Sequence, residues 1–402
     1  MSNNKIIAAV EIGTSKIMVI VGEIVDGQSL NIIGMGECPS EGVRKGEILD
    51  YRAASRCTHA AIEEAERSSG TKIEEVYLSQ TGKHLQDTFN RGSAQVSSTD
   101  HIVSQNDLNR AVADAQSRVV PDDRSLIHYI QNEFALDGRI VETPIGLSGK
   151  RLEVGYLSVH GEKRIIADNL RVINGYGTFV KDMIVSSIAS GCIVADDSEK
   201  KAGVLVVDIG SGTTDYALYR NGYIIKTGLI PIGGDHFTND ICMGMRIDRD
   251  QAEKFKIEFG KAIIDKTDLS ENIWLRGDLS IGDRSFKRKS IYQILNARTE
   301  ELFSLLKEEL GDLLNPKDLG IGVILTGGGS RLKAIDVVAK EQLGFDVKFG
   351  SAPHWVTHNL REPEYSTTLG ILHFALTDEH QRIIKTSKQN KFVDKIFDLF
   401  KA

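Results

Sequence analysis

The sequence predicts an α/β protein of two halves built on one plan, closed around a nucleotide. Three segments carry that expectation. IIAAVEIGTSKIMVIVGE, residues 6–23, reads as a strand, a tight turn holding Gly13 and a second strand. VLVVDIGSGTTDYALYRNG, residues 204–222, repeats the layout: an apolar run, an acid (Glu11, Asp208), Ile-Gly, hydroxyl residues, then another apolar strand. VILTGGGSRLKAI, residues 323–335, is an apolar strand, three glycines and a helix start.

Each hairpin has the residue types that phosphate chemistry needs. Gly13, Gly210 and Gly212 let the backbone approach a phosphate with no Cβ in the way. Backbone N–H groups and the hydroxyls of Thr14, Ser15, Ser211, Thr213 and Thr214 are donors for phosphate oxygens. Lys16 adds a cation beside the first turn. Glu11 and Asp208, at strand ends, suit Mg²⁺ held through water, since that ion keeps much of its hydration shell. Gly327, Gly328, Gly329 and Arg331 suit the wall of the cleft. A P-loop is excluded by the absence of G-x-x-x-x-G-K-[ST]. A dinucleotide fold is disfavoured, because no G-x-G-x-x-G opens a helix after the first strand.

The three segments, in this order, resemble the phosphate 1, phosphate 2 and adenosine motifs of the actin/Hsp70/sugar-kinase ATPase superfamily. GGDHFTNDI (233–241) and AEKFKIEFG (252–260) resemble its GGD turn, with Gly234, and its purine-facing helix, with Glu253 and Lys256 one turn apart. Within the superfamily, YLSQTGKHL (77–85), TPIGLSGKRLEV (143–154), EPEYSTTLGILHF (362–374) and NIIGMGECPSEGVRKGEILD (31–50) are similar to the bacterial FtsA cell-division family. That resemblance implies an actin-like two-lobed ATPase fold with duplicated ribonuclease-H-like halves and a 1C subdomain in place of actin's 1B. Subdomain 1A is expected over 1–83, 164–200 and 359–380, and 1C over 84–163. Subdomain 2A is expected over 201–228 and 305–358, and 2B over 229–304. A polar linker (381–390) and an amphipathic membrane-targeting helix (391–402) follow. The 1C reading agrees with residues 104–119, whose helical spacing follows a Ser cap. SLIHYIQNEFALDG and RLEVGYLSVHG read as strands around a loop with Pro144 and Gly146.

The resemblance implies ATP or ADP with Mg²⁺ as cofactors. Binding is expected. Hydrolysis is at most weak, because Glu11 stands where most of the superfamily has Asp, and catalysis is sensitive to displacements of about an ångström. No water-positioning base is legible. A sugar or metabolite kinase of the same superfamily is the alternative, but no carboxylate base at a substrate cleft is found. The family further implies four partners: the C-terminal peptide of the tubulin-like FtsZ, other copies of this chain in actin-like filaments, an anionic bilayer and later division proteins. Residues 283–306 carry a basic patch and then a helix. Arg298, Arg284 and Glu301 are the expected FtsZ contacts, since basic and apolar side chains suit a short acidic, apolar peptide. The location implied is the cytoplasmic face of the inner membrane at the septum, as a peripheral protein.

Bulk properties fit. The 402 residues exceed one ordinary domain. They are 41% apolar and 26% charged, as in folded proteins. A formal charge of −7 argues against nucleic acid as a partner. Cys38, Cys57, Cys192 and Cys242 have no metal or disulfide spacing, and reduced thiols are expected. No signal-peptide layout and no transmembrane run is read. Residues 391–402, KFVDKIFDLFKA, run against the overall charge. At helical spacing Phe392, Val393, Ile396, Phe397, Leu399 and Phe400 share an arc about 160° wide. From Gln381 onward the local net charge is +4 (six cations, two anions), which suits anionic lipid heads.

Overall fold

Apolar runs that do not alternate become central strands here, because both faces of each sheet are covered. The computed structural model describes residues 5–25, 29–117, 120–175, 177–264, 271–275 and 284–386. The first half opens with an antiparallel meander of β1 (Lys5–Ile12), β2 (Lys16–Val25) and β3 (Ser29–Pro39). A small hairpin, β4 (Val43–Arg44) and β5 (Glu47–Ile48), leads to helix α1 (Tyr51–Ser69). Asp50 caps α1 by accepting from the backbone N–H groups of Arg52 and Ala53, and Gly70 ends it at φ 66°. Strand β6 (Glu75–Gln80) then runs parallel to β1.

An inserted unit follows: β7 (Gln86–Gln95), α2 (Gln105–Gln116), β8 (Arg124–Leu136), β9 (Arg139–Val141) and β10 (Arg151–Glu162), with sheet order β7-β10-β8-β9. Ser104 caps α2 in a capping box with Asp107. Hydroxyl and backbone donors from Ser104 and Ser97 hold the buried Asp107 carboxyl far below its usual range. Ala111 and Ala115 pack on Leu152, Val154 and Tyr156 as a separate small core. The unit grips the second half directly. Asn132 Nδ2 donates to Ile224 O at 2.9 Å, and Asp87 accepts from Lys226 Nζ at 2.7 Å and Thr227 N at 3.0 Å.

Helix α3 (Lys163–Asn174) and strand β11 (Phe179–Val185) complete the first sheet, ordered β11-β6-β1-β2-β3. Helices α4 (Ser186–Val194) and α5 (Asp197–Ala202) lead to the second. Its meander is β12 (Val204–Ile209), β13 (Thr214–Arg220) and β14 (Tyr223–Ile230). Then come α6 (Gly234–Met245), α7 (Arg249–Phe259), the paired β15 (Asn272–Leu275) and β16 (Arg284–Lys287), and the long α8 (Arg288–Leu310). Strand β17 (Gly322–Thr326), helix α9 (Ile335–Leu343) and β18 (Val347–Phe349) finish this sheet, ordered β14-β13-β12-β17-β18. Helix α10 (Ser366–Thr386) returns to the first half.

The two five-stranded sheets share one topology: an antiparallel meander whose first strand gains two parallel neighbours on its other side. Alternate residues of β12 enter different cores. Leu205, Val207 and Ile209 face α6, α8 and α9, while Val204 and Val206 join Ile188, Ala189 and Leu369 in the layer between the halves. Strand β1 divides likewise, Ala8 and Val10 on the α1 side, Ile7 and Ala9 between the halves. In that middle layer α4 and α10 cross backbone to backbone. A Cβ at Gly370 would lie 1.9 Å from the Ala189 carbonyl oxygen. Helix α10 extends through Thr386, so the first six residues of the expected 381–390 linker are helical. Residues 387–402, including the expected membrane helix, lie outside the described residues.

Candidate functional site

The two matched turns meet at a cleft of about 880 Å³ between the halves. They close with the same bond: Gly13 N donates to Lys16 O at 3.0 Å, and Gly210 N to Thr213 O at 2.9 Å. They also touch. A Cβ at Gly212 would stand 2.5 Å from Thr14 Oγ1, which accepts from Lys45 N at 3.0 Å. The 233–235 turn docks on the second hairpin, with Gly234 N on Gly210 O and Asp235 N on Ser211 O, both 2.9 Å.

Most sequence-predicted residues line this cleft: Glu11, Gly13, Thr14, Ser15 and Lys16 from the first hairpin, and Asp208, Gly210, Ser211, Gly212 and Thr213 from the second. Gly234, Glu253, Lys256, Gly327, Gly328, Gly329 and Arg331 line the rest. Thr214 does not. Strand side chains alternate, so Thr213 and Asp215 face the cleft while Thr214 points away, fully buried, and donates to Ile232 O at 2.8 Å. It is no phosphate donor in this arrangement. Ser211 Oγ donates to Asp235 at 2.9 Å, a carboxylate that also takes Arg249.

The opposite wall is an ion-pair lattice. Lys256 Nζ bonds Glu253 (2.8 Å), Thr238 Oγ1 (2.9 Å) and Gly234 O (3.1 Å), which ties α7 to the start of α6. Arg331 pairs with Glu364 at 2.8 Å, and Glu364 also lies 3.5 Å from Lys16. Glu364 thus links the first hairpin to the glycine-rich turn. The exposed Ile257 presents an apolar face on this wall.

Three acids sit on the cleft floor. Glu11 accepts from Thr368 Oγ1 at 2.6 Å. Asp208 accepts from Ser190 Oγ and from Thr367 Oγ1, the latter at 2.9 Å. Asp215 accepts from Thr81 (2.6 Å) and Thr213 (2.9 Å). Burial, reinforced by the neighbouring acids, lifts the Glu11 carboxyl to about 7 against the hydrogen bond from Thr368. Burial, again with Asp208 beside it, lifts Asp215 to about 7, and burial raises Asp208 as well. Among the described residues no three His, Cys, Asp or Glu side chains form a ready-made metal cage. The arrangement still fits Mg²⁺. Desolvated carboxyls that repel one another gain from a shared cation, and that ion needs only one or two protein carboxylates beside water and phosphate oxygens.

Sequence reasoning missed Asp215, Thr81, Glu364, Thr367 and Thr368. A signal existed for Asp215: it is the direct cross-strand partner of Asp208, countable outward from the turn. The equivalent partner of Glu11 is Met18, so the two hairpins are alike in backbone and unlike in charge. The other expected site is placed as follows. Arg298 donates to Asp240 on α6 (3.0 Å from Nη2) and to Glu301 within α8, and Arg284 donates to the Met245 and Arg246 carbonyls at 2.8 Å.

Glu11→Gln replaces an ionisable carboxyl on the cleft floor with a neutral group of the same shape. A carboxyl raised from 4.5 to about 7 keeps its proton in the folded state while the unfolded chain loses it, so its contribution to stability falls as pH rises across that window. In EDTA the variant is expected to melt near the parent at about pH 5, a few degrees above it by about pH 7, with no further gain beyond about pH 8. A difference that shrinks as pH rises would contradict the raised Glu11 carboxyl.

The family model for the cell division protein FtsA matches residues 205–370, and that for the SHS2 domain inserted in FtsA matches 82–160, the inserted unit. The chain is 33% identical over 376 residues to the cell division protein FtsA of Neisseria meningitidis serogroup B, covering 92% of this chain and 90% of that one. It is 32% identical to FtsA of Bacillus subtilis, covering 93% and 84%. Among solved structures, the PilM-PilN type IV pilus biogenesis complex aligns at a TM-score of 0.64 and 16% identity, covering 92% of this chain and 98% of that one. MreB5 of Spiroplasma citri bound to ADP aligns at 0.57 and 15%, covering 96% and 99%. These likenesses show the two-lobed, actin-like α/β fold that the hairpins predict. With a third of its residues shared over more than nine-tenths of its length, the chain belongs to the FtsA family of cell division proteins.

Proposed function

We propose that this actin-like division protein binds ATP or ADP with Mg²⁺ in the cleft and links division filaments to the membrane. The observation that carries the reading is the pair of identically closed hairpins facing each other over three acids on the cleft floor. The N–H groups of both turns, with Lys16, receive the phosphates. Gly327 to Gly329, Arg331 and Ile257 take the nucleoside, beside Glu253 and Lys256. Glu11 and Asp208 hold the Mg²⁺ through water, and Asp215 adds to the negative potential behind them. Bound there, Mg²⁺ neutralises phosphate charge and the acids' mutual repulsion. Thr81 and Thr213 hold Asp215 in place. Hydrolysis is at most weak, since Glu11 stands where most of the superfamily has the shorter Asp and catalysis is sensitive to displacements of about an ångström.

The remaining roles extend this reading. The surface around Arg298, Arg284 and Glu301 takes the C-terminal peptide of FtsZ, and copies of the chain assemble into filaments that recruit later division proteins. Residues 391–402 lie on anionic lipid at the cytoplasmic face of the inner membrane. No helix among the described residues is long and apolar enough to cross a membrane. Titration of the purified chain with a fluorescent adenine nucleotide in Mg²⁺ tests the core of the reading: saturable binding, competed by ATP and ADP, is expected. A chain that takes up no adenine nucleotide removes the proposal.

A further inference from the structure

Two of the three acids on the cleft floor, Glu11 and Asp208, are not held by their own hairpins. The hydroxyl partners of these two come from the two helices that cross between the halves, α4 and α10, whereas Asp215 is held by Thr81 and Thr213. Thr367 and Thr368 are consecutive residues in the first turn of α10, yet they reach acids from opposite halves: Thr367 donates to Asp208 of β12, and Thr368 to Glu11 of β1. Ser190 of α4 donates to the same Asp208 oxygen and lies 3.2 Å from Thr367 Oγ1. Ser366, just before them, is 2.6 Å from Thr326 Oγ1 at the end of β17. All of these side chains are buried except Glu11, which is partly exposed at the cleft.

Three physical points follow. A threonine in a helix has restricted rotamers, so its hydroxyl fixes an acceptor more tightly than a long flexible donor would. Two adjacent residues on one rigid turn impose a set spacing on what they hold. The turn cannot drift, because Gly370 one turn later brings α10 onto the backbone of α4 at Ala189. We propose that Thr367 and Thr368 are positioning residues that yoke Asp208 and Glu11, setting the separation of the two acids, one from each half, for a divalent cation bound with the nucleotide. The inference rests on the cleft being a Mg²⁺–nucleotide site. It adds that metal affinity is controlled from α10, a helix that touches neither phosphate hairpin motif in sequence.

A carboxylate whose hydroxyl partner is lost rotates, and outer-shell losses of this kind cost about 10- to 100-fold in metal affinity. Adenine-nucleotide affinity is measured by calorimetry for the parent, Thr367→Val with Thr368→Val, and Thr367→Ser with Thr368→Ser, each in Mg²⁺ and in EDTA. The valine variant keeps side-chain volume and loses both donors. It is expected to bind at least about tenfold more weakly than the parent in Mg²⁺ and within about twofold of it in EDTA. The serine variant restores the donors and the Mg²⁺ affinity. If burying two unpartnered carboxylates leaves the double valine variant unfolded, Thr368→Val alone, read in the same two conditions, decides. A valine variant weakened equally in Mg²⁺ and EDTA, or not at all, overturns the yoke and leaves the cleft reading intact. A parent that binds in neither condition overturns the cleft reading, and the yoke with it.

Discussion

Gly327→Ala should weaken adenine-nucleotide binding by about 30-fold or more, while Gly344→Ala leaves it unchanged. Both glycines have positive φ, 81° and 82°, but Gly344 (ψ 21°) is αL, where an alanine costs about 1 kcal/mol, whereas Gly327 (ψ 159°) lies in a region that essentially only glycine adopts. Their surroundings separate them. A Cβ at Gly344 meets nothing within 4 Å. A Cβ at Gly327 would sit 2.1 Å from Asp208 Oδ1 and 2.6 Å from the Ile209 carbonyl oxygen. The carbonyl belongs to a central strand, and the carboxylate is pinned by Ser190 and Thr367, so neither yields cheaply. The alanine must push the glycine-rich turn outward or drive Asp208 off its partners. Either movement displaces groups proposed to face the nucleotide, and a loss of about 2 kcal/mol corresponds to about 30-fold. Gly327→Ala is expected to melt below Gly344→Ala, so both affinities are read at a temperature where each variant is folded, and the contrast then reports on the site. Equal nucleotide affinity for both would mean that the 327 turn is not part of the site.

What was legible in the sequence follows from how local each feature is. The hairpins could be read because each is closed within a few residues: apolar strands, a glycine turn and the Gly13–Lys16 and Gly210–Thr213 bonds all lie in one short stretch. The Glu253–Lys256 pair was legible for the same reason, as neighbours three apart on a helix. Thr214 was misread because its neighbours are phosphate-type hydroxyls, whereas its orientation is set by strand alternation. The floor of the cleft was not legible. Thr368 meets Glu11 across 357 residues and Thr81 meets Asp215 across 134, and no periodicity marks such pairs. Serines and threonines in EPEYSTTLG look like ordinary helix-start residues until the fold places them against acids. Arg298 shows a related limit. The family resemblance and a basic patch beside apolar residues marked it as a cation for a peptide, while the structure gives it two carboxylate partners of its own, Asp240 and Glu301, with which a peptide would have to compete.

Removing residues 387–402 should abolish binding to anionic vesicles while leaving nucleotide affinity as it was. The cut belongs after Thr386, since ending the chain at Ile384 would shorten α10 itself. The segment removed carries all six apolar residues of the proposed lipid-facing arc and four of the six cations after Gln381. Each cation near an anionic surface contributes about 1 kcal/mol, so charge supplies only a few kcal/mol and fades with added salt. On the proposed attachment the apolar arc would supply the rest by burial at the headgroup boundary, since an isolated twelve-residue helix is marginal in water. On the proposed attachment a single tail would bind weakly, and assembly on one surface would multiply the affinity, by about 10²- to 10⁴-fold for linked sites. Two further readings discriminate charge from burial. Phe397→Asp with Phe400→Asp keeps four of the arc's six apolar residues and all of the cations, and should lose most vesicle binding even at low salt. The parent on vesicles lacking anionic lipid should bind at least about tenfold less than on anionic ones. A chain ending at Thr386 that still sediments with anionic vesicles would place the membrane contact on the folded body instead of the tail.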